Sequence, residues 1–417
     1  MHIGKQRFKR AVFLDAAVQQ EEAAVDAGRL LRELQLVFGS KLQLCLEELR
    51  QAFPVPFVKG DFALLFKRVL LNHLKDALKI LVLGQIEQGG FSVEQNPGDY
   101  VLLCLRIRAK EMKLLSKSDL NALLSARDYD ECLRLLYDHG WGEEGKSLSA
   151  PALLKAEQDK TWSLMRELVD DMSVFNVFLI PNDFHNLKVS IKAVTRNANP
   201  AGMFIENGTV PAQSVYEAVT KRDYAGLPEY LREPAGEALT ALLQTGDGQL
   251  CDVILDKASL ETVHKLGQES ENEVIRLYSE LTVASADIKT AVRCVKTGKT
   301  AEFIKKSLAS CSTINVNLLA SAAAKSLDDI YGYLQFTDYA GAVDALKISP
   351  TAFEKWCDDL LTDKIKPQKW EPFSIGPLAA YIIARDNEIK AVRLILSAKL
   401  NALDLEAIKE RLRDMYV

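Results

Sequence analysis

Between residues 115 and 141 the leucine side chains fall at positions 115, 120, 123, 124, 133, 135 and 136. Residues three or four apart share one face of an α-helix, so this stretch predicts two amphipathic helices with a break near Asp128. Farther on, Leu378, Ile382, Ile389, Val392 and Leu396 recur at helical spacing and predict another helix with one buried face. The first 97 residues also read as helical, in AAVQQEEAAVDAGRLLRELQLVF, KLQLCLEELRQAF and DFALLFKRVLLNHLKDALKILVLGQIEQ. Convincing alternating segments with hairpin dipeptides are absent, and the lone Asn207-Gly208 sits in a polar stretch. The expected fold class is all-α. Pro and Gly cluster at 89–99, 197–212, 246–248 and 364–377, where helix-breaking connections are expected.

A short phrase recurs along this helical chain. Asn186-Leu187-Lys188, Asp287-Ile288-Lys289 and Glu388-Ile389-Lys390 share a constant pitch of 101 residues. Each runs into an apolar, basic stretch: VSIKAV, TAVRCV and AVRLIL. Asp128-Tyr129, Asp223-Tyr224 and Asp338-Tyr339 form a second recurring element between helical stretches. There Asp is expected to cap the following helix and Tyr to pack between helices. Together these predict three copies of one helical unit, over 98–205, 206–308 and 309–417. Residues i and i+2 do not face each other on a helix. The acid or amide at 186, 287 and 388 therefore needs a partner outside its own phrase. The second basic residue, Lys192, Arg293 or Arg393, does share a face with its lysine. Three readings of these basic residues stay open: interhelix ion pairs inside each unit, a basic ring around a common axis, or solvated surface.

Composition narrows the function more by exclusion than by indication. A net charge of −5 gives no global basic field for nucleic acid. Runs such as Ile80–Gly84 and Leu102–Leu105 are too short to span a bilayer. The basic opening MHIGKQRFKR is followed only by AVFL before Asp15, so no secretory leader is expected and the chain reads as cytosolic. Cysteines at 45, 104, 132, 251, 294, 311 and 357 form no CxxC pair, and free thiols are expected. Gly298-Lys299-Thr300 ends like a phosphate-binding loop, but the glycine required at 293 is Arg, so a helix-terminating glycine is the better reading. Asp170-Asp171, Asp328-Asp329 and Asp358-Asp359 lack the fifth-position Asp of a magnesium-diphosphate motif, having Val174, Gly332 and Thr362 there. Asp359 and Asp363 share a face and read as solvated surface. His2, His73, His139, His185 and His264 show no HxxxH spacing. No catalytic residue, metal ligand or cofactor is expected.

The segment 375–417 resembles the end of the C subunit of bacterial and archaeal V/A-type rotary ATPases, whose eukaryotic counterpart is the d subunit. Tyr381, Ala384, Glu388-Ile389-Lys390, Arg393, Lys399-Leu400-Asn401, Leu412-Arg413 and Tyr416-Val417 carry the likeness. Asp183, Asn186, Leu187 and Lys188 match the family's central phrase, and Tyr100-Val101, Arg106–Ala109 and Leu114–Ser116 match its first helix. The resemblance runs in order over about 100–417. It implies three similar helical domains around a pseudo-threefold axis, forming a funnel. It also implies a non-catalytic central-stalk component, plugged by the shaft of the ATP-hydrolysing head and seated on the membrane proteolipid ring. Such a component couples the two for proton or sodium transport, lies peripherally on the cytoplasmic face, and binds no nucleotide itself. The family-motif positions Asp183, Asn186, Lys188, Asp287, Lys289, Tyr381, Glu388, Lys390 and Arg393 are the candidates for bracing the fold or touching shaft or ring. Residues 1–97 match nothing in that pattern and read as an accessory helical domain, an extension or a misplaced start. The competing classes are a generic helical scaffold for protein partners and a metal-dependent all-α enzyme.

Overall fold

The computed structural model describes residues 97–142, 149–371 and 374–417, so the expectations for residues 1–96 lie outside the described residues. Every regular element among the described residues is a helix. The chain divides into two compact units, residues 1–113 with 370–374, and residues 114–369 with 375–417. In the first unit, α1 (Pro97–Glu111) opens on a proline at a position that needs no intrahelical donor. Its Arg108 pairs with Glu111 at 2.5 Å, and Cys104 Sγ donates to the Ser374 carbonyl at 3.9 Å.

The second unit begins with α2 (Lys117–Ser125), which carries a capping box between Ser116 and Asp119. The predicted break follows, and Asp128 caps α3 (Tyr129–Asp138) by accepting the Glu131 N–H at 2.9 Å. The other two Asp-Tyr pairs do not cap helices. Asp223 closes a local turn by accepting from Ala225 N–H, and the helix after Asp338 starts at Ala342 with Gly341 as its cap. The dipeptide marks a break in all three places, but only at Asp128 does the next helix start within reach of the carboxylate.

Three of the four longest helices among the described residues are α5 (Asn176–Arg196), α9 (Glu273–Lys296) and α15 (Gly376–Leu400). They carry the three lysine phrases. Each packs on a helix far away in sequence. Helix α5 meets α8 (Gly248–Glu269), α9 meets α14 (Pro350–Ile365), and α15 meets α4 (Ala150–Leu168). The last of these contacts brings the end of the chain back to the start of the unit. One core cluster accordingly joins Leu115, Leu123, Leu136 and Leu153 to Val392, Ile395 and Leu396.

The periodicity of α15 predicts one apolar face. In the structure the helix is buried nearly all round, Ala379, Ala380, Ile383, Ala384 and Ala391 included. Small alanines on the remaining faces let neighbouring helices approach, so the helix serves as a core strut. Gly298 ends α9 with φ +63° in a Schellman turn, in which its N–H bonds the Val295 carbonyl and the Lys299 N–H bonds the Cys294 carbonyl. The GKT tripeptide is thus a helix terminator. No disulfide forms among the described cysteines; Cys104, Cys132, Cys251 and Cys294 are buried, and Cys311 and Cys357 are partly so.

Candidate functional site

The residue two places before each lysine reaches out of its helix to hold backbone. Asn186 clasps Ile205 from both sides: the Ile205 N–H donates to Oδ1 at 2.9 Å and Nδ2 donates to the Ile205 carbonyl at 2.8 Å. Asp287 accepts the Ala309 N–H at 3.0 Å, and Glu388 accepts the Leu115 N–H at 2.5 Å. All three are fully buried. The first two segments lie just beyond their own helix, but Leu115 lies at the opposite end of the unit. That third clasp closes the chain on itself.

One turn before Asn186, buried Asp183 collects four donors: the N–H groups of Thr209 (2.9 Å) and Val210 (3.2 Å), Thr209 Oγ1 (2.7 Å) and the Tyr230 hydroxyl (2.8 Å). Burial pushes its carboxyl above the usual range, and these hydrogen bonds pull against that shift. The Asn207-Gly208 pair finds its reason here, since a Cβ on Gly208 would lie 2.2 Å from Asp183 Oδ1. Gly208→Ala should therefore disrupt this cap and lower stability by about 1–3 kcal/mol, read as a lower denaturant midpoint.

The lysines make ion pairs across the long-helix contacts. Lys188 reaches Asp256 of α8 at 2.6 Å, with Lys192 on Asp252 beside it at 2.6 Å. Lys289 reaches Glu354 of α14 at 3.5 Å. These pairs join the 98–205 stretch to 206–308, and 206–308 to 309–417, whereas the interhelix reading of the sequence puts them inside each stretch. Lys390 alone of the three pairs within its own stretch, with Asp386 (2.8 Å) and Asp358 (3.7 Å). Burial disfavours its cation, but the two aspartates outweigh that and hold its pKa above the ordinary lysine value. Arg293 and Arg393 are exposed. Because Asp256 is 64% exposed, Lys188→Ala should cost less than about 1 kcal/mol of unfolding free energy in a urea titration.

At the seam between α15 and α4 the arrangement is different. Arg385 is buried, donates to Glu157 of α4 at 2.5 Å, and also pairs with Glu388. Glu157 further accepts the Gly142 N–H at 2.7 Å, and the guanidinium lies over the Trp141 ring at 5.2 Å. Burial works against the Arg385 cation, yet Glu388, Tyr381 and Glu157 keep its pKa above the ordinary arginine value. Tyr381, a family-motif position, is itself buried. Sequence reasoning misses Arg385, although it falls on the same 3.6-residue stripe as Ile382 and Ile389. A charge on an apolar stripe is the available signal.

A cavity of about 410 Å³ lies among these helices. It would hold on the order of a dozen waters, so it is no packing defect. All three long helices line it: α5 through Phe178 and Asn182, α9 through Tyr278 and Lys289, α15 through Ile382 and Lys390. Helices α4 and α14 complete the wall, with Trp162 and Asp358 among their contributions. Phe178 and Tyr278 touch across it, ring centroids 4.5 Å apart. The lining mixes aromatic surface with fixed charges of both signs. Lys289 and Lys390 come together here, while Lys188 does not line the cavity. Asp358, half of an acid pair that matches no metal motif, holds Lys390 and also binds Arg413 of the C-terminal segment at 2.7 Å. Among the described residues no group of His, Cys, Asp and Glu could hold a metal ion.

The sequence matches the model of the ATP synthase (C/AC39) subunit family over residues 103–411, about three-quarters of the chain. It is 25% identical over 321 residues to the C subunit of a V-type sodium ATPase from Enterococcus hirae, covering 74% of this chain and 97% of that protein. It is 25% identical over 345 residues to the C subunit of an A-type ATP synthase from Methanocaldococcus jannaschii, covering 75% and 86%. A similar protein from a Desulfurococcus species, also the C subunit of an A-type ATP synthase, is 25% identical over 328 residues.

Proposed function

The chain belongs to the C/AC39 subunit family of V/A-type ATPases, and from that membership we propose that it is the non-catalytic central-stalk component of such a rotary ATPase. In this role it couples the shaft of the ATP-hydrolysing head to the membrane proteolipid ring. Residues 98–205, 206–308 and 309–417 act as three similar helical domains around one axis, and the shaft tip enters between them. The protein then lies peripherally on the cytoplasmic face and turns with shaft and ring. No helix among the described residues is long and apolar enough to cross a membrane.

One observation carries the shaft reading: the cavity is walled by all three lysine-phrase helices, with aromatic and charged side chains interspersed. Aromatic anchors in a pocket supply most of the affinity at a protein interface, and fixed charges set the register. Ion pairs and backbone clasps between successive stretches suit a part that transmits torque, because close-packed interiors do not deform continuously. The test is capture of purified shaft subunits by the full-length chain, followed by assembly onto detergent-solubilised proteolipid ring. Binding of both partners supports the coupling role. A folded chain that binds neither leaves a generic helical scaffold as the better reading.

A further inference from the structure

Asn186, Asp287 and Glu388 occupy the same place in three helices and do the same job, but they complete their hydrogen bonding differently. Asn186 uses one atom to accept from Ile205 and the other to donate to it. Glu388 uses one oxygen for Leu115 N–H and the other for Arg385. Asp287 uses Oδ1 for Ala309 N–H, while its Oδ2 is buried with no hydrogen-bond partner. An unpartnered carboxylate oxygen at a fully buried position is costly. A carboxyl group that carries a proton on that oxygen becomes the chemical equivalent of the Asn186 amide, with one acceptor and one donor.

We propose that Asp287 is a proton-binding site that locks the segment beginning at Ala309 onto α9. The surroundings favour the neutral form. Burial is the largest influence and pushes the carboxyl up to about 7; the Ala309 N–H and Lys257 pull it down and Glu261 pushes it up. Lys257 and Glu261, both on α8, form their own pair at 3.8 Å and largely offset each other. Cys311 is the titratable group of the held segment that senses the Asp287 charge, and its thiol is pushed up to about 12, chiefly by burial. Farther along the same seam, Glu280 accepts from Thr313, and its Oε2 stands 3.4 Å from His264 Nδ1.

The folded-state pKa lies above that of an unfolded aspartate. The folded chain therefore holds a proton that the unfolded chain has released. The lock is fully present below the unfolded aspartate value and is lost progressively as pH rises from there through about 7. Residue-resolved hydrogen exchange on the full chain tests this, with Asp287→Asn and the reciprocal Asn186→Asp. In the unmodified protein, opening at the Ala309 amide, corrected for intrinsic base catalysis, should grow by about tenfold per pH unit between the ordinary aspartate range and about 7, and level off above that. Asp287→Asn should remove that dependence, and Asn186→Asp should create it at the Ile205 amide. Equal pH dependence of Ala309 opening with and without Asp287→Asn would overturn the proposal. If Asp287→Asn does not fold, Asn186→Asp decides: no new dependence at Ile205 overturns it as well.

Discussion

Arg385→Ala should lower the unfolding free energy of the full chain by about 3–5 kcal/mol in a denaturant titration. The cation stands between two buried carboxylates, Glu157 and Glu388. Its removal leaves like charges facing each other in a low-dielectric interior. It also uncovers Trp141, over which the guanidinium lies. The deficit should narrow as pH falls, because burial already raises the Glu388 carboxyl and protonation relieves it once Arg385 no longer offsets its charge; Glu157 keeps Lys160 at 2.6 Å. The contrast with Lys188→Ala is the informative part. Both residues join helices distant in sequence, yet Lys188 does so at a partner open to solvent, where water already screens the pair. Equal small losses for the two variants would mean that the α15–α4 seam is held by apolar packing alone.

Ser285→Trp should weaken binding of the shaft subunits by at least about a hundredfold, near 2.7 kcal/mol, while the unfolding midpoint stays close to that of the unmodified chain. Ser285 faces the cavity from α9, where its hydroxyl bonds only the Thr282 carbonyl of its own helix. An indole there fills the space beside Phe178 and Tyr278 without removing any clasp between helices. Capture of the shaft by the folded variant, compared with the unmodified chain at several shaft concentrations, gives the readout. Unchanged affinity would place the shaft contact elsewhere on the protein. Assembly with the proteolipid ring, measured alongside, should not change, since a plug in the cavity leaves the rest of the surface intact.

Much of the local structure is legible in the chain. The break at Asp128 follows from apolar spacing and one good capping residue, and the Gly298 terminator follows from a failed phosphate-loop pattern. These are short-range features, decided by atoms within a few residues of one another. The capping expected of Asp223 and Asp338 fails for the same reason in reverse. A capping residue works only if the next helix starts on it, and that start is set by packing beyond the dipeptide. Helix α15 is readable as a helix but not as one buried all round, because periodicity reports the contrast between faces and says little when alanines stand on the remaining ones.

The sequence by itself determined the helical class, the recurrence of the lysine phrase at 188, 289 and 390, and the need of each neighbouring acid or amide for an outside partner. It could not say what those partners are. Only the tertiary structure decided that Asn186, Asp287 and Glu388 hold backbone, that Lys289 and Lys390 share a cavity from which Lys188 is absent, and that Arg385 finds Glu157 across the joined ends of the unit. The physical reason is range. Helix formation and capping depend on bonds over one or two turns, whereas the identity of a buried charge's partner depends on which helices burial drives together, and no spacing along the chain records that choice.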